Sequence, residues 1–331
     1  MSTDNPLISI LMPIKNAGPY LAECLASIQN QTEKHWEVLA VDDGCTDNSV
    51  EIFNTFAKQD KRFHLFRNEE AGIIPALRMA YSHSSGGFIT RMDADDIMPE
   101  DKLETLKAYL LQRGKKHLAT GLVKYFAKGG VKPGYQFYEQ WLNSLTRSGK
   151  NYTDIYKECV IPSPCWMVYR EDLDACGAFN SNEYPEDYDL AFRMMGSGLK
   201  VIPSDKVLHL WRDHSDRTSR NDPNYADNRF LELKLDWFLK LSHNPNKTLV
   251  IWGAAKKGKI CARRLLAADI PFTWMCNNPN KINKSVYDTL IENVKHINEI
   301  PNKQVIVVVA NKEQQAEIRT QLAEDEAFFF C

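Results

Sequence analysis

Three carboxylates stand within four residues at Asp93, Asp95 and Asp96. Left bare they repel one another, and some must hold their protons above the ordinary carboxylate range. A divalent cation removes that conflict, because Mg²⁺ and Mn²⁺ take oxygen ligands and commonly bridge to phosphates. The same run also reads as an exposed acidic turn that helps to cap a helix opening at Pro99. A second acidic pair, Asp42-Asp43, precedes Gly44, and a third, Glu186-Asp187, follows Pro185. A different chemistry is hinted at by Gly253-Ala254-Ala255-Lys256-Lys257-Gly258-Lys259-Ile260. This run has the outline of a phosphate-cradling loop, yet Ile260 stands where such a loop needs Ser or Thr for its cation. As a dinucleotide fingerprint it lacks its middle glycine, at Ala255, and the strand that follows ends in Cys276-Asn277-Asn278 rather than an acid. Lys256, Lys257 and Lys259 nonetheless crowd a helix start, where the dipole disfavours cations and a docked anion would offset the cost. Ligand binding and a structural or partner-docking role both stay open for this module.

The elements around these residues decide which of them meet. Residues 8–12 read as a buried strand, and Pro19 opens a helix with Leu21, Leu25 and Ile28 on one face. Residues 36–41 form a second strand that runs into Asp42-Asp43-Gly44. A helix with Val50 and Phe53 inward, a strand at 63–66, a helix at 75–83 and a strand at 88–90 follow, the last running into Asp93. Such alternation predicts an α/β domain with a mostly parallel sheet and helices on both faces. Ligands of these sheets bind beyond the carboxyl ends of the strands. Asp43 and the 93–96 cluster both sit at such ends, so they converge on one crevice, and that company favours the cation over the plain turn.

From 115 to 242 the pattern is less regular. A strand at 117–126 leads into an aromatic helix with Tyr135, Phe137, Tyr138 and Trp141, which reads as a core-packing helix before a platform for stacking a ligand. A helix opens at Glu186-Asp187, and a helix at 230–241 is expected to close the first domain. Residues 242–246 read as a linker, so the expected domains are 1–242 and 246–331. The second is smaller and Rossmann-like, with strands at 248–252 and 305–309 and the Gly253 turn between strand and helix.

Composition bounds the function. With 331 residues, two domains fit comfortably. The 41 basic and 43 acidic side chains leave a net charge of −2, which argues against a nucleic-acid partner. The eight cysteines show no CxxC or metal-ligand spacing and read as reduced core thiols of a cytosolic protein. The N-terminal apolar run is short and has no basic leader, and no stretch is long enough to span a membrane, so a cytoplasmic location is expected.

Four ordered motifs carry a resemblance. Met12-Pro13-Ile14-Lys15-Asn16, then Val41-Asp42-Asp43-Gly44-Cys45-Thr46-Asp47, then Asp93-Ala94-Asp95-Asp96, then Glu186-Asp187-Tyr188-Asp189-Leu190 resemble the inverting glycosyltransferases of family 2, which have the GT-A fold. The match runs from residue 7 to about 220. Cys45 replaces the usual Ser of the second motif, Ser163-Pro164 stands where relatives often have His-Pro, and Arg78 where they often have Asn. The resemblance implies that Pro13 and Lys15 line a nucleoside pocket and that Asp43 accepts a hydrogen bond from the base. It implies Asp93 near the ribose, and Asp95 with Asp96 on a Mn²⁺ or Mg²⁺ ion that holds the diphosphate. Asp187 would be the general base, with Glu186 shaping the acceptor site. Arg212 and His214 match an Arg-x-His segment beside the leaving diphosphate. The implied partners are a nucleotide-sugar donor, usually a UDP-sugar, and a glycan or lipid-linked glycan acceptor. The implied setting is cell-surface polysaccharide synthesis at the cytoplasmic side of the membrane, with peripheral attachment. Two rivals remain: a catalytically silent nucleotide- or glycan-binding scaffold, and a sugar-phosphate nucleotidyltransferase, which should carry a Gly-rich basic loop where this chain has Pro13 to Gly18.

Overall fold

In the computed structural model, residues 6–215, 217, 230–323 and 325–331 are described, and the chain divides into two compact units. The first takes the chain up to residue 153 together with 159–217, and the second takes 154–158 with 218–331.

The first unit begins with β1 (Ile8–Ile14), α1 (Gly18–Gln29), β2 (Trp36–Asp42), α2 (Ser49–Gln59), β3 (Phe63–Arg67), α3 (Ile73–His83) and β4 (Phe88–Arg91). Six of the seven residues of β1 are buried, which fits a central strand covered on both faces. α4 (Lys102–Arg113), β5 (His117–Thr120), β6 (Leu122–Phe126) and α5 (Pro133–Ser148) follow. β7 (Trp166–Tyr169), α6 (Arg170–Ala175), α7 (Glu186–Gly196), β8 (Lys200–Ile202) and β9 (Val207–Arg212) complete the unit. Seven strands form one sheet in the order β3-β2-β1-β4-β7-β5-β8, parallel except where β7 runs against β4 and β5. β6 and β9 pair separately and in parallel. The expected single strand at 117–126 is therefore two. The break is at Gly121, where an added Cβ would lie 2.6 Å from the side chain of Leu208. Backbone and Leu208 can approach this closely only because the position is glycine. Tyr135, Tyr138 and Trp141 of α5 pack on the hydrophobic core as expected, while Phe137 is 61% exposed.

The second unit contains α8 (Phe230–Leu241), β10 (Thr248–Trp252), α9 (Lys256–Ala267), β11 (Thr273–Cys276), β12 (Ser285–Val286), β13 (Thr289–Asn293), β14 (Lys303–Val307), α10 (Lys312–Gln321) and β15 (Ala327–Phe329). Its sheet runs β12-β13-β11-β10-β14-β15, with only the β12–β13 pair antiparallel. This is the smaller Rossmann-like α/β arrangement the alternation predicts. The helix expected to close the first domain lies instead in this unit, where Asp236 of α8 takes two hydrogen bonds of 2.9 Å from Arg264 of α9. Its apolar stripe reads the same whichever core receives it. After β10, Gly253 has φ +130°, and a Cβ on Gly258 would sit 2.0 Å from the Gly253 carbonyl, so the turn is as tight as its glycines suggest. Lys257 reaches the Cys331 thiol, and Lys281 donates to the Ala254 carbonyl at 2.8 Å. No Mg²⁺-dependent ATP hydrolysis is expected from this turn, since Ile260 offers no hydroxyl to a cation. Turnover of ATP by the full chain that Lys259→Ala abolishes would show the opposite.

Candidate active site

The loops after β1 and β2 are stitched together by side chains. Asn16, at φ +49°, accepts from the Thr46 amide at 2.8 Å. Asp47 accepts from Gly18 N at 2.8 Å and from the amide and hydroxyl of Ser49 at 3.0 and 2.6 Å. Cys45 fills the serine position by bonding on both sides: its thiol donates to Ile14 O at 3.4 Å and accepts from Asn16 N at 3.3 Å. Burial pushes that thiol up to about 11, so it acts here as a neutral packing group. Within this frame Asp43 is held firmly. One carboxylate oxygen accepts from Asn68 Nδ2 at 2.7 Å and Gly72 N at 2.8 Å, and the other lies 3.7 Å from Lys15 Nζ. Pro13 is partly exposed near the end of β1, paired in register with Val41 of β2.

Beyond β4 the three aspartates separate by environment. Asp93 accepts from the Arg91 guanidinium at 3.0 and 2.9 Å and keeps 25% of its side chain exposed. Asp95, 27% exposed, meets His214 Nε2 at 2.8 Å. Asp96, grouped with Asp95 on the cation in the sequence reading, points the other way. It is 1% exposed, with one oxygen on the Arg212 amide at 2.7 Å and the other on His209 Nε2 at 2.9 Å. His209 is itself buried, and its Nδ1 lies 3.3 Å from the ammonium of buried Lys102, which also donates to Pro164 O at 2.6 Å. With Lys102 donating to Nδ1, Nε2 carries the ring proton and donates to Asp96. This buried line fixes the turn that presents Asp95. Asp96→Leu leaves the His209 and Arg212 N–H groups without acceptors, at about 1–3 kcal/mol each. A clear drop in the urea midpoint is the expected outcome.

The remaining oxygen and nitrogen donors fit a cation shared with a ligand better than a closed protein cage. Among the described residues no group of three or more His, Cys, Asp and Glu is arranged to hold a metal ion. Asp95 and His214 supply two donors on a partly exposed edge, which leaves room for phosphate oxygens and water, as Mg²⁺ and Mn²⁺ sites use. Burial, with the charges of Asp95 and Asp93 adding to it, drives the Asp96 carboxyl well above its ordinary range, and a cation beside Asp95 would relieve that repulsion. Arg212 leans on the rings of Tyr20 and Phe126, donates to Asp95 O at 2.7 Å and pairs with Glu23 at 2.6 Å.

Glu186 and Asp187 open α7. Arg91, 6% exposed, reaches from β4 to Glu186 at 2.8 Å while it holds Asp93, so one guanidinium joins the two acidic groups. Asp187 is partly buried and has no such partner among the described residues; its Oδ1 accepts only from the Tyr188 amide at 2.8 Å. Burial raises its carboxyl to about 7, with the Glu186 charge adding to the shift and Arg91 opposing it. That is where a general base is most useful near neutral pH. The loop before α7 is clamped by Arg78, which donates to the carbonyls of Phe179, Asn180 and Ser181 at 2.6, 2.9 and 2.9 Å. Arg91, Lys102, His209 and Arg78 were not singled out as site-builders by the sequence reading. For Arg91 a signal exists: a lone cation inside the buried strand Phe88–Arg91, two residues before Asp93, has to find an acid.

The Glycosyl transferase family 2 model matches residues 9–177, and the chain belongs to that family. It is 38% identical over 218 residues to Glycosyltransferase GlyA of Streptococcus pneumoniae, covering 64% of this chain and 31% of GlyA. It is 31% identical over 172 residues to the putative teichuronic acid biosynthesis glycosyltransferase TuaG of Bacillus subtilis, covering 52% of this chain and 65% of TuaG. The chain thus spans less than two thirds of the curated relatives it matches. Among solved structures, S. aureus TarS 1-349 in complex with UDP-GlcNAc is similar with TM-score 0.56 and 18% identity, over 79% of this chain and 73% of that one. The mannosyltransferase PcManGT from Pyrobaculum calidifontis, in complex with GDP-Man and Mn²⁺, gives 0.54 and 19%, over 81% and 76%. At such identities the likeness is one of fold, and the fold is GT-A.

Proposed function

We propose that the chain is an inverting, metal-dependent glycosyltransferase that moves a sugar from a nucleotide donor to a hydroxyl of a glycan or lipid-linked glycan. The observation that carries this reading is the Arg91 bridge, which brings the Asp93 end of the donor crevice to within one side chain of the Glu186-Asp187 pair. Asp43, held by Asn68 and Gly72, is preset to receive the base, with Lys15 and Pro13 beside it. Asp93 faces the ribose. Asp95 and His214 would hold Mn²⁺ or Mg²⁺, which when bound neutralises charge on the leaving diphosphate. Arg212 adds a fixed positive charge on that side. Asp187 takes the acceptor proton as its oxygen attacks the anomeric carbon from the opposite face, and one displacement inverts the configuration. A UDP-sugar donor is supported by the UDP-GlcNAc complex of TarS, and a role in surface polysaccharide synthesis by the name TuaG carries. No helix among the described residues is long and apolar enough to cross a membrane, and we place the enzyme at the cytoplasmic face as a peripheral protein.

Asp95→Asn tests the donor side. It keeps the fold, because Asp95 is partly exposed, and it should weaken Mn²⁺-dependent donor binding by about 10–100-fold or more. Calorimetric titration of UDP-sugars with Mn²⁺ reads this directly. Wild-type affinity in the mutant, or in EDTA, would remove Asp95 and the metal from the account.

A further inference from the structure

The second unit carries a cavity of its own, of about 230 Å³, that no step of sugar transfer uses. It opens beside the carboxyl ends of β10 and β11, where Trp252 and Asn277 lie, between the 3₁₀ turn Val294–Glu299 and α10. Ligands of parallel α/β sheets bind at that edge. Four carboxamides, Asn277, Asn298, Gln314 and Gln321, line it, and none of these side chains has a hydrogen-bond partner among the described residues. Each carboxamide offers donors and an acceptor together. The floor is apolar: Val294, Ile297 and Ile318 are 8%, 1% and 3% exposed. Lys295 and Glu317 bring one charge of each sign, so the lining is electrically balanced.

This chemistry separates ligand classes. The lining holds no excess of positive charge to attract a nucleotide or other phosphate ester, and an apolar ligand would leave four carboxamides desolvated and unpaired. A neutral ring that carries hydroxyls around its rim and C–H groups on its face meets both demands. Each hydroxyl donates and accepts as a carboxamide does, and the C–H face lies on the aliphatic floor. The volume matches a single sugar ring. We propose that this cavity is a binding site for a neutral pyranose unit of a glycan, separate from the transfer site. On a chain that also handles glycans, such a site would add avidity for a saccharide able to reach both places.

The test uses the full chain and saturation-transfer NMR with methyl glucoside, methyl galactoside and methyl N-acetylglucosaminide at millimolar concentration, and with ADP and UDP in parallel. Wild type is compared with Asn277→Ala/Gln314→Ala, both exposed positions where a fold defect is not expected, which circular dichroism checks. Signal that survives in the double variant belongs to the transfer site, and signal that disappears belongs to this cavity. At least one pyranoside is expected to lose most of its signal in the double variant, while nucleotide signals stay unchanged. The proposal is overturned if no pyranoside signal depends on these two residues, or if the dependent signal is that of ADP or UDP.

Discussion

Asp187→Asn should lower sugar transfer by roughly 10²–10⁴-fold, the usual worth of a positioned general base, with donor affinity nearly unchanged. Asn keeps the shape and the bond from the Tyr188 amide but cannot take the acceptor proton. An acid in the first turn of α7 could instead serve the helix dipole alone, at about 0.3–1 kcal/mol. The two roles give opposite stability effects. A carboxyl whose folded pKa is raised stabilises the fold only while it is protonated, and that contribution fades as pH climbs from the ordinary carboxylate range through about 7. Asp187→Asn should therefore raise Tm at pH 8 and change it little at pH 4, whereas loss of a dipole partner would lower Tm at pH 8. The acid limb of the transfer profile should fall below about pH 7 in wild type. Glu186→Gln removes a neighbouring negative charge and should move that limb to lower pH.

Arg91→Met should be the most damaging single change to the frame of the site. It strips Glu186 and Asp93 of their shared cation, and breaking a buried pair costs about 3–5 kcal/mol. The lower end is expected, since Asp93 keeps 25% exposure. The loss should show in the urea midpoint at neutral pH and shrink in acid, where the stranded carboxylates can protonate. The same variant should move the acid limb of transfer to higher pH, opposite to Glu186→Gln, because Arg91 holds the Asp187 carboxyl down. A purely structural arginine would destabilise the protein without moving the limb at all.

The contrast between these residues explains what could be read from the chain before its structure. Asp43, Asp93 and Asp95 were legible because the alternation of strands and helices puts them at strand carboxyl ends, where a parallel sheet binds ligands. The parallel architecture and the second α/β unit were legible for the same reason. Asp95 and Asp96 were not separable, since neighbouring residues in a turn take their directions from the turn itself, and burial beside His209 decides the second. Arg91 goes unnoticed in the sequence because its partner Glu186 stands 95 positions away. Gly121 hid a break within residues 117–126, which read as one strand, because its role lies in a contact with distant Leu208. The helix Phe230–Leu241 was assigned to the wrong side of a linker because an amphipathic stripe does not name the core it covers.

The decisive measurement is release of nucleoside diphosphate by the purified full chain from a panel of UDP- and GDP-sugars, with Mn²⁺ or EDTA. Release from at least one donor is expected in Mn²⁺, with loss of that release in EDTA and in Asp95→Asn, and with a transferred sugar of inverted anomeric configuration. Release that persists undiminished in EDTA, or no turnover of any donor in the panel, would contradict it.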